Sequence, residues 1–424
     1  MFVGNIAPPL IIAGVIGAAT GETAFLVQVA LLMAGVSTLI QALGIGPVGA
    51  RLPVLQGTSF AFVAVAIPLA QSHGLSAVFG GALVAGFVQI LIGTSLRWLR
   101  GLFPPLVSGI VVLAIGIGLI PVGINYAAGG VGAEDFGAPI HIGVAGFVMV
   151  VTIIVNQYTR GFLSAAAVLI GVILGYLVAM PLGSVDFQPV ADASWASVPM
   201  PFELGMTFPG AAVVGMSIVA IASSVETIGD LSAITRGGAN REITHRELSG
   251  GVLGDGVGPS LASIFGAMPN TSFSQNVGLV ALTGVINRYV VAIGAVFLVI
   301  AGLAPKIGAA VATMPNAVLG GSAIIMFAMV ASAGINILKQ VAMTRRNQLI
   351  IALSVGLGLG LQLVPEALVS FHEQLRLLLE SGVVPAALVA ILLNLVFPTS
   401  DPAEAGRVPD PDQGESAATS PERT

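Results

Sequence analysis

LPVLQGTSFAFVAVAIPLA (52–70) and GAMPNTSFSQNVGLVALTG (266–284) are the stretches that decide the fold of this chain. Each is an apolar run broken by Gly, Pro and hydroxyl residues. Each also carries the triplet Thr-Ser-Phe, at Thr58-Ser59-Phe60 and at Thr271-Ser272-Phe273. Polar interruptions at corresponding places in two halves mark inverted-repeat transporters, whose broken helices meet near the bilayer midplane and offer free backbone groups to a solute. The two triplets are expected to hold matching places, one in each half.

Composition supports a membrane setting. Hydrophobic residues make up 56% of the 424 and charged residues only 8%, whereas a soluble chain carries about 25% charged residues to solvate its surface. Runs of roughly 17–25 apolar residues span as helices. They are found at 2–20, 24–45, 55–70, 75–96, 104–124, 140–157, 162–182, 209–228, 248–268, 274–287, 289–312, 317–338, 347–365 and 382–398. The two short runs contain or follow the triplets. Fourteen segments divide into seven and seven, and an odd number per repeat forces the copies to be inverted. The expected organisation is a first repeat over 1–182, a loop over 183–208, a second repeat over 209–398 and a disordered tail over 399–424. Long uniform runs such as IVVLAIGIGLIPVGI speak against a β-barrel, which shows alternating segments of about ten residues.

Charge placement tests the count. The even-numbered connections carry eleven basic residues, among them Arg51, Arg160, Arg236, Arg241, Arg246 and Arg288, and the odd ones only Lys306 and Arg376. That bias places the even loops and both termini in the cytoplasm. The series Arg236, Arg241, Arg246 then reads as a solvated loop, with no pattern for nucleic acid. The four histidines are scattered and there is no cysteine, so no metal site, thiol chemistry or enzyme constellation is expected.

Three acidic residues fall inside or beside the spans: Glu226 and Asp230 in IASSVETIGDLSAITRG, and Asp255 in GGVLGDGVGPSLASIFG. A carboxylate at mid-bilayer is costly and persists by facing a cavity, by pairing or by holding a proton. Glu226 and Asp230 are four apart and share one helical face; Asp230 reads either as a proton site or as an interfacial anchor near Arg236 and Arg241. Asp255 reads as a proton relay or gate hinge, or as a packing hydrogen bond to a hydroxyl on the preceding span. In the run from Met268 to Gly278, Pro269 ends a helix and Gln275-Asn276 would start a half-helix. Its N-terminus offers unpaired N–H donors. A Gln side chain adds a donor and an acceptor on one planar edge, which complements a purine or pyrimidine edge. Phe60 and Phe273 supply faces for a flat ring.

The run Gln275-Asn276-Val277-Gly278-Leu279-Val280-Ala281-Leu282-Thr283-Gly284, with GTSFAF, ETIGD and NTSFSQN before it, resembles the signature of the nucleobase–ascorbate transporter family, also called nucleobase–cation symporter-2. The resemblance implies fourteen segments in two inverted sevens, arranged as a core and a gate domain. The third and tenth segments would each begin as a short strand made by the triplets. It further implies that Glu226 holds the substrate, that Gln275 reads the base, and that Asn276 supports affinity and the local loop. Asp255 and Asp230 would act in proton coupling or gating. Phe60 and Ser274 would make backbone contacts, Phe273 and Phe327 would pack on the ring, Gly4 would be a first-segment backbone contact, and Thr58 and Ser59 would tune the site. The first segment is implied to begin upstream of MFVGN. Gln at the first signature position with Gly after Thr283 resembles the xanthine/uric acid branch.

The function implied is import of xanthine or uric acid by alternating access in the inner membrane, by a homodimer. It is coupled to protons rather than Na⁺ and uses no cofactor. The alternatives are a permease for uracil or another nucleobase, and an anion exchanger of the same architecture. An anion exchanger predicts a cation at the site, and no Lys or Arg lies mid-span.

Overall fold

Two prolines in the first helix set how the centre is assembled. The structure is a computed structural model whose described residues are 2–99, 104–183 and 185–398; the tail expected over 399–424 lies outside them. The first half runs α1 Phe2–Ile16, α2 Thr20–Leu43, β1 Gln56–Thr58, α3 Phe60–His73, α4 Leu75–Leu99, α5 Pro105–Ala127, α6 Pro139–Tyr158, α7 Phe162–Ala165 and α8 Ala167–Ala179. After the short α9 Gln188–Asp192 come α10 Gly210–Ala239, α11 His245–Ile264, β2 Asn270–Ser272, α12 Ser274–Thr283, α13 Arg288–Gly302, α14 Pro305–Ala312, α15 Asn316–Leu338, α16 Arg345–Leu363, α17 Glu373–Glu380 and α18 Val383–Val396. Pro9 has no N–H to give the Asn5 carbonyl one turn back. The Thr58 hydroxyl takes that carbonyl at 3.2 Å, while the Asn5 side-chain oxygen accepts the Thr58 N–H at 2.8 Å. So α1 is stitched to β1.

Among the described residues, six helices (α2, α4, α5, α6, α10 and α15) are long and apolar enough to cross a bilayer by length and composition, and the bent pair α13–α14 makes a seventh. Helices α1, α3 and α18 are apolar but shorter. Helices α11 and α16 open on charged turns, His245-Arg246-Glu247 and Arg345-Arg346. Three of the expected spans differ in detail. The eighth continues past 228 to Ala239, which puts Asp230 well inside a helix of about 45 Å at 1.5 Å per residue. The eleventh bends by 79° between Gly302 and Pro305, where Pro305 cannot continue the helix hydrogen bonds. The seventh is interrupted at Ala166, between α7 and α8.

The strands are antiparallel, with Gln56 opposite Ser272, Gly57 opposite Thr271 and Thr58 opposite Asn270. Flanking bonds extend the ladder symmetrically, from Ser59 N–H to the Pro269 carbonyl (2.9 Å) and from Phe273 N–H to the Leu55 carbonyl (3.0 Å). This pairing corrects the reading of the triplets. The symmetry centre lies at Gly57 and Thr271, so Ser59 is equivalent to Phe273 and Phe60 to Ser274. The two Thr-Ser-Phe copies are one residue out of step. Only Thr58 of the first copy lies in a strand, whereas Thr271 and Ser272 of the second both do.

Helix packing repeats the same symmetry. Helix α4 packs on α11 as α2 packs on α13; α6 packs on α8 as α16 packs on α18; α6 meets α15 as α16 meets α5. Two groups result, a core of α1–α4 with α10–α14 and a gate of α5–α8 with α15–α18. They touch where α3 and α10 meet α5, α17 and α18, and where α1 meets α15 and α8. Close approach depends on glycine at a few places. A side chain at Gly57 would overlap the Phe273 ring and the Asn5 side-chain oxygen, and one at Gly14 would overlap the Tyr126 hydroxyl. Seated there, Tyr126 of α5 donates to the α1 carbonyls of Leu10 (3.0 Å) and Ile11 (2.7 Å), a bond from gate to core.

The connection between the halves is tied to the core. Gln28 of α2 donates to the Ser197 hydroxyl (2.9 Å). Lys306 donates to the Val190 carbonyl (2.9 Å) and stands over the Trp195 ring. Phe202 N–H reaches the Ile264 carbonyl (2.7 Å), and Thr207 N–H the Ser76 carbonyl (3.0 Å).

Candidate functional site

Both broken helices begin at one cavity. Ser59 and Phe273 hold the N-cap positions of α3 and α12, and neither helix has a side-chain cap. Asn276 N–H of α12 turns back to the Phe273 carbonyl (2.9 Å), and the N–H groups of the first two residues of each helix are left for another acceptor, with the positive end of each helix dipole beside them. The cavity measures about 280 Å³, close to the lower end of the ~300–1,000 Å³ usual for small-molecule sites. Its core wall is Ser59, Phe60, Ala61, Glu226 and Thr271 to Ser274, and its gate wall is Val112, Ile115, Met329, Val330, Ser332, Ala333 and Asn336. The gate wall thus comes from the first half of α5 and the last half of α15. Toward its opposite end α5 closes on the core through Tyr126, and at its midpoint α15 does so through an edge-on contact of Phe327 with Phe60 at 5.5 Å. The cavity lies on one side of that closure.

Glu226 faces this space, half-buried, from the middle of α10. One turn on, Asp230 is only 8% exposed. The Ser274 hydroxyl sits between them, 3.0 Å from a carboxyl oxygen of each. The two arginines that an interfacial anchor at Asp230 would adjoin are paired elsewhere, Arg236 with Glu242 and Arg241 with Glu247.

Behind the strands, Asp255 is fully buried and collects five side-chain donors. Thr227 and Gln56 make the closest approaches, followed by Gln41 and Thr271 at 3.2 Å and Ser272 at 3.3 Å. One of them, Thr227, is the hydroxyl on the preceding span that the packing reading of Asp255 required. Gln41 also accepts the Ala50 N–H (3.0 Å), and Gln56 exchanges bonds with Thr38 (2.9 and 3.1 Å). The cluster fixes α2, α10, α11 and both strands to one carboxyl group.

Of the expected site residues, the structure brings Glu226, Ser59, Phe60, Phe273 and Ser274 to the cavity wall. Others stand behind it. Thr58 is bound to Asn5, Asn276 donates to the Pro53 carbonyl (2.6 Å), and Phe327 is fully buried. Gly4 packs against the Phe273 ring. Asp230 reaches the cavity only through Ser274, and Asp255 belongs to the cluster behind the strands. Gln275 is the second residue of α12, and its side chain lies outside the described residues.

Sequence reasoning missed the gate wall and the two glutamines. Gln56 precedes Gly57-Thr58 directly, and Asn336 interrupts the apolar run of α15; both were legible as polar residues inside a span. Val112, Ile115, Met329 and Val330 carried no such mark.

A polytopic membrane permease is the class that these features define. The model described as Permease family (Xan_ur_permease) matches residues 1–367, and the chain belongs to that family, the nucleobase–ascorbate transporters. It is 38% identical over 405 residues to the xanthine permease of Bacillus subtilis, covering 94% of this chain and 91% of the relative. It is 36% identical over 403 residues to the uric acid transporter UacT of Escherichia coli, covering 94% and 83%. Among solved structures, the transmembrane domain of a cyanobacterial bicarbonate transporter, BicA, matches with a TM-score of 0.56 at 16% identity over 93% of this chain and 95% of that one. The likeness extends to the fold, fourteen segments in two inverted repeats of seven.

Proposed function

We propose that the protein imports an oxidised purine, xanthine or uric acid, together with protons across the inner membrane. The observation that carries this reading is the cavity itself. A carboxyl group, Glu226, faces two uncapped helix N-termini across a space edged by Phe60 and Phe273. Ring N–H groups of a base suit the carboxylate, ring carbonyls suit the free backbone N–H groups, and the aromatic edges suit a flat bicycle. The relatives named for xanthine and uric acid support the same class. Proton coupling draws support from the joined Glu226–Ser274–Asp230 carboxyl groups. The charge bias supports cytoplasmic termini, an extracytoplasmic loop over 183–208 and a cavity reached from the cytoplasm. A homodimer, with the halves 1–182 and 209–398 sharing core and gate, completes the proposal.

An anion exchanger of this fold is the second reading, and the cavity wall speaks against it. Among the described residues lining the cavity there is a carboxyl group and no Lys or Arg. The test is uptake of labelled xanthine, urate, uracil and ascorbate into vesicles with and without a protonophore. Uptake of xanthine or urate that collapses with the protonophore is the expected result. Uracil or ascorbate transport overturns the substrate assignment, and protonophore-insensitive uptake overturns the coupling.

A further inference from the structure

One hydroxyl hydrogen cannot serve two acceptors equally. Ser274 Oγ lies 3.0 Å from Glu226 Oε1 and 3.0 Å from Asp230 Oδ2, and a serine hydroxyl has one hydrogen and two lone pairs. With both carboxyl groups ionised, one of these contacts would bring lone pair against lone pair in a site where Asp230 is 8% exposed. Both contacts become full, separate hydrogen bonds, with no two charges sharing one hydrogen, when one carboxyl group carries a proton and donates it to Ser274 while Ser274 donates to the other. We propose that the Ser274 hydroxyl is a proton bridge between Glu226 in the cavity and Asp230 behind it. The inference deepens the proton-coupled reading of this site and rests on it.

The bridge has two forms. In one, Asp230 O–H donates to Ser274, which donates to Glu226, leaving Glu226 an acceptor for ring N–H groups of a base. In the other the order is reversed. Passage between them breaks the Asp230 O–H bond, forms a new Ser274 O–H bond, breaks the old one and forms a Glu226 O–H bond. Two protons shift in relay, the net transfer is one proton from Asp230 to Glu226, and the serine is unchanged. Ser274 is placed for this as the first residue of α12, fixed by the strand pairing before it. Asp255 on α11 is the nearby titratable group, and its oxygens are taken up by Thr227, Gln56, Gln41, Thr271 and Ser272. Among the described residues, those lining the cavity on α3, α5 and α15 include no titratable side chain.

The test compares the wild type with Ser274→Ala and Ser274→Thr in proteoliposomes, each first shown to elute as a folded species. Infrared spectroscopy reads the protonated-carboxyl band without any transport, and labelled uptake reads the pH profile. The bridge predicts a carboxyl proton in the resting wild type, a displaced band in Ser274→Ala and a wild-type band in Ser274→Thr. Gradient-driven accumulation should fall about ten-fold in the alanine variant, as expected for a lost hydrogen bond to a charged group, with a moved pH profile; threonine should restore both. An alanine variant with the wild-type band and profile overturns the bridge, and so does a folded threonine variant as impaired as alanine. If the band behaves as expected while wild-type uptake ignores a protonophore, the bridge stands and the coupling in the proposed function fails.

Discussion

Glu226 and Asp255 are buried to different degrees and have different tasks in the structure, and substitution should separate them. Glu226 is held on one side by Ser274 and open to the cavity on the other. Glu226→Gln keeps the shape but loses the charged acceptor, worth about 2–3 kcal/mol for a hydrogen bond to a charged group. Labelled uptake should drop about thirty-fold or more at unchanged surface expression, and retained wild-type uptake would refute the assigned role. Asp255→Asn puts an amide N–H₂ where donors already converge. Each donor left unsatisfied costs about 1–3 kcal/mol, so thermal unfolding in detergent should shift clearly downward for Asp255→Asn and little for Glu226→Gln. Much of this was legible, because a carboxylate in an apolar run stands out against its neighbours. The gate wall was not, because Val112 or Met329 in a uniform apolar helix reads the same whether lipid or a solute lies against it.

At the scale of elements, the paired strands and the Tyr126 contact make opposite demands, one fixed and one breakable. Gly57 holds the centre of the strand pair, and Gly57→Ala would drive a methyl group into the Phe273 ring and the Asn5 side chain. Little folded protein should be recovered from that variant by size-exclusion chromatography, and a normal yield would show that the pairing tolerates a shift. Tyr126→Phe should fold normally and loosen the closed end by about 1 kcal/mol, or about five-fold in the closed-to-open ratio. The chain has no cysteine, so Ser332→Cys on the cavity wall reports access alone. Its labelling should slow in the Tyr126→Phe background, and an unchanged rate would remove the contact from the gating balance. The breaks were legible in the apolar runs and the family resemblance implied the strands; their register was in neither. A repeated triplet aligns letters, whereas the ladder aligns carbonyl and N–H groups, and here the two differ by one residue. The bend before Pro305 was available in the run GLAPK and was hidden by its unbroken apolar character.

For the whole molecule, the apolar runs carried the segment count, the alternation of charge along the loops tested it, and the count carried the inversion; the repeated helix pairings agree with both. What the linear order concealed is that neither half stands alone. Each group takes helices from both halves, and the connecting stretch is fastened by Gln28, Lys306 and the carbonyls of Ile264 and Ser76. The covalent joint between the halves is therefore mechanically redundant. The gene could be cut within the codons for 193–208 and the two fragments, made together, should find one another and transport. Each fragment made alone should be degraded. A molecule of this kind is closer to a heterodimer written on one chain than to a chain with two domains.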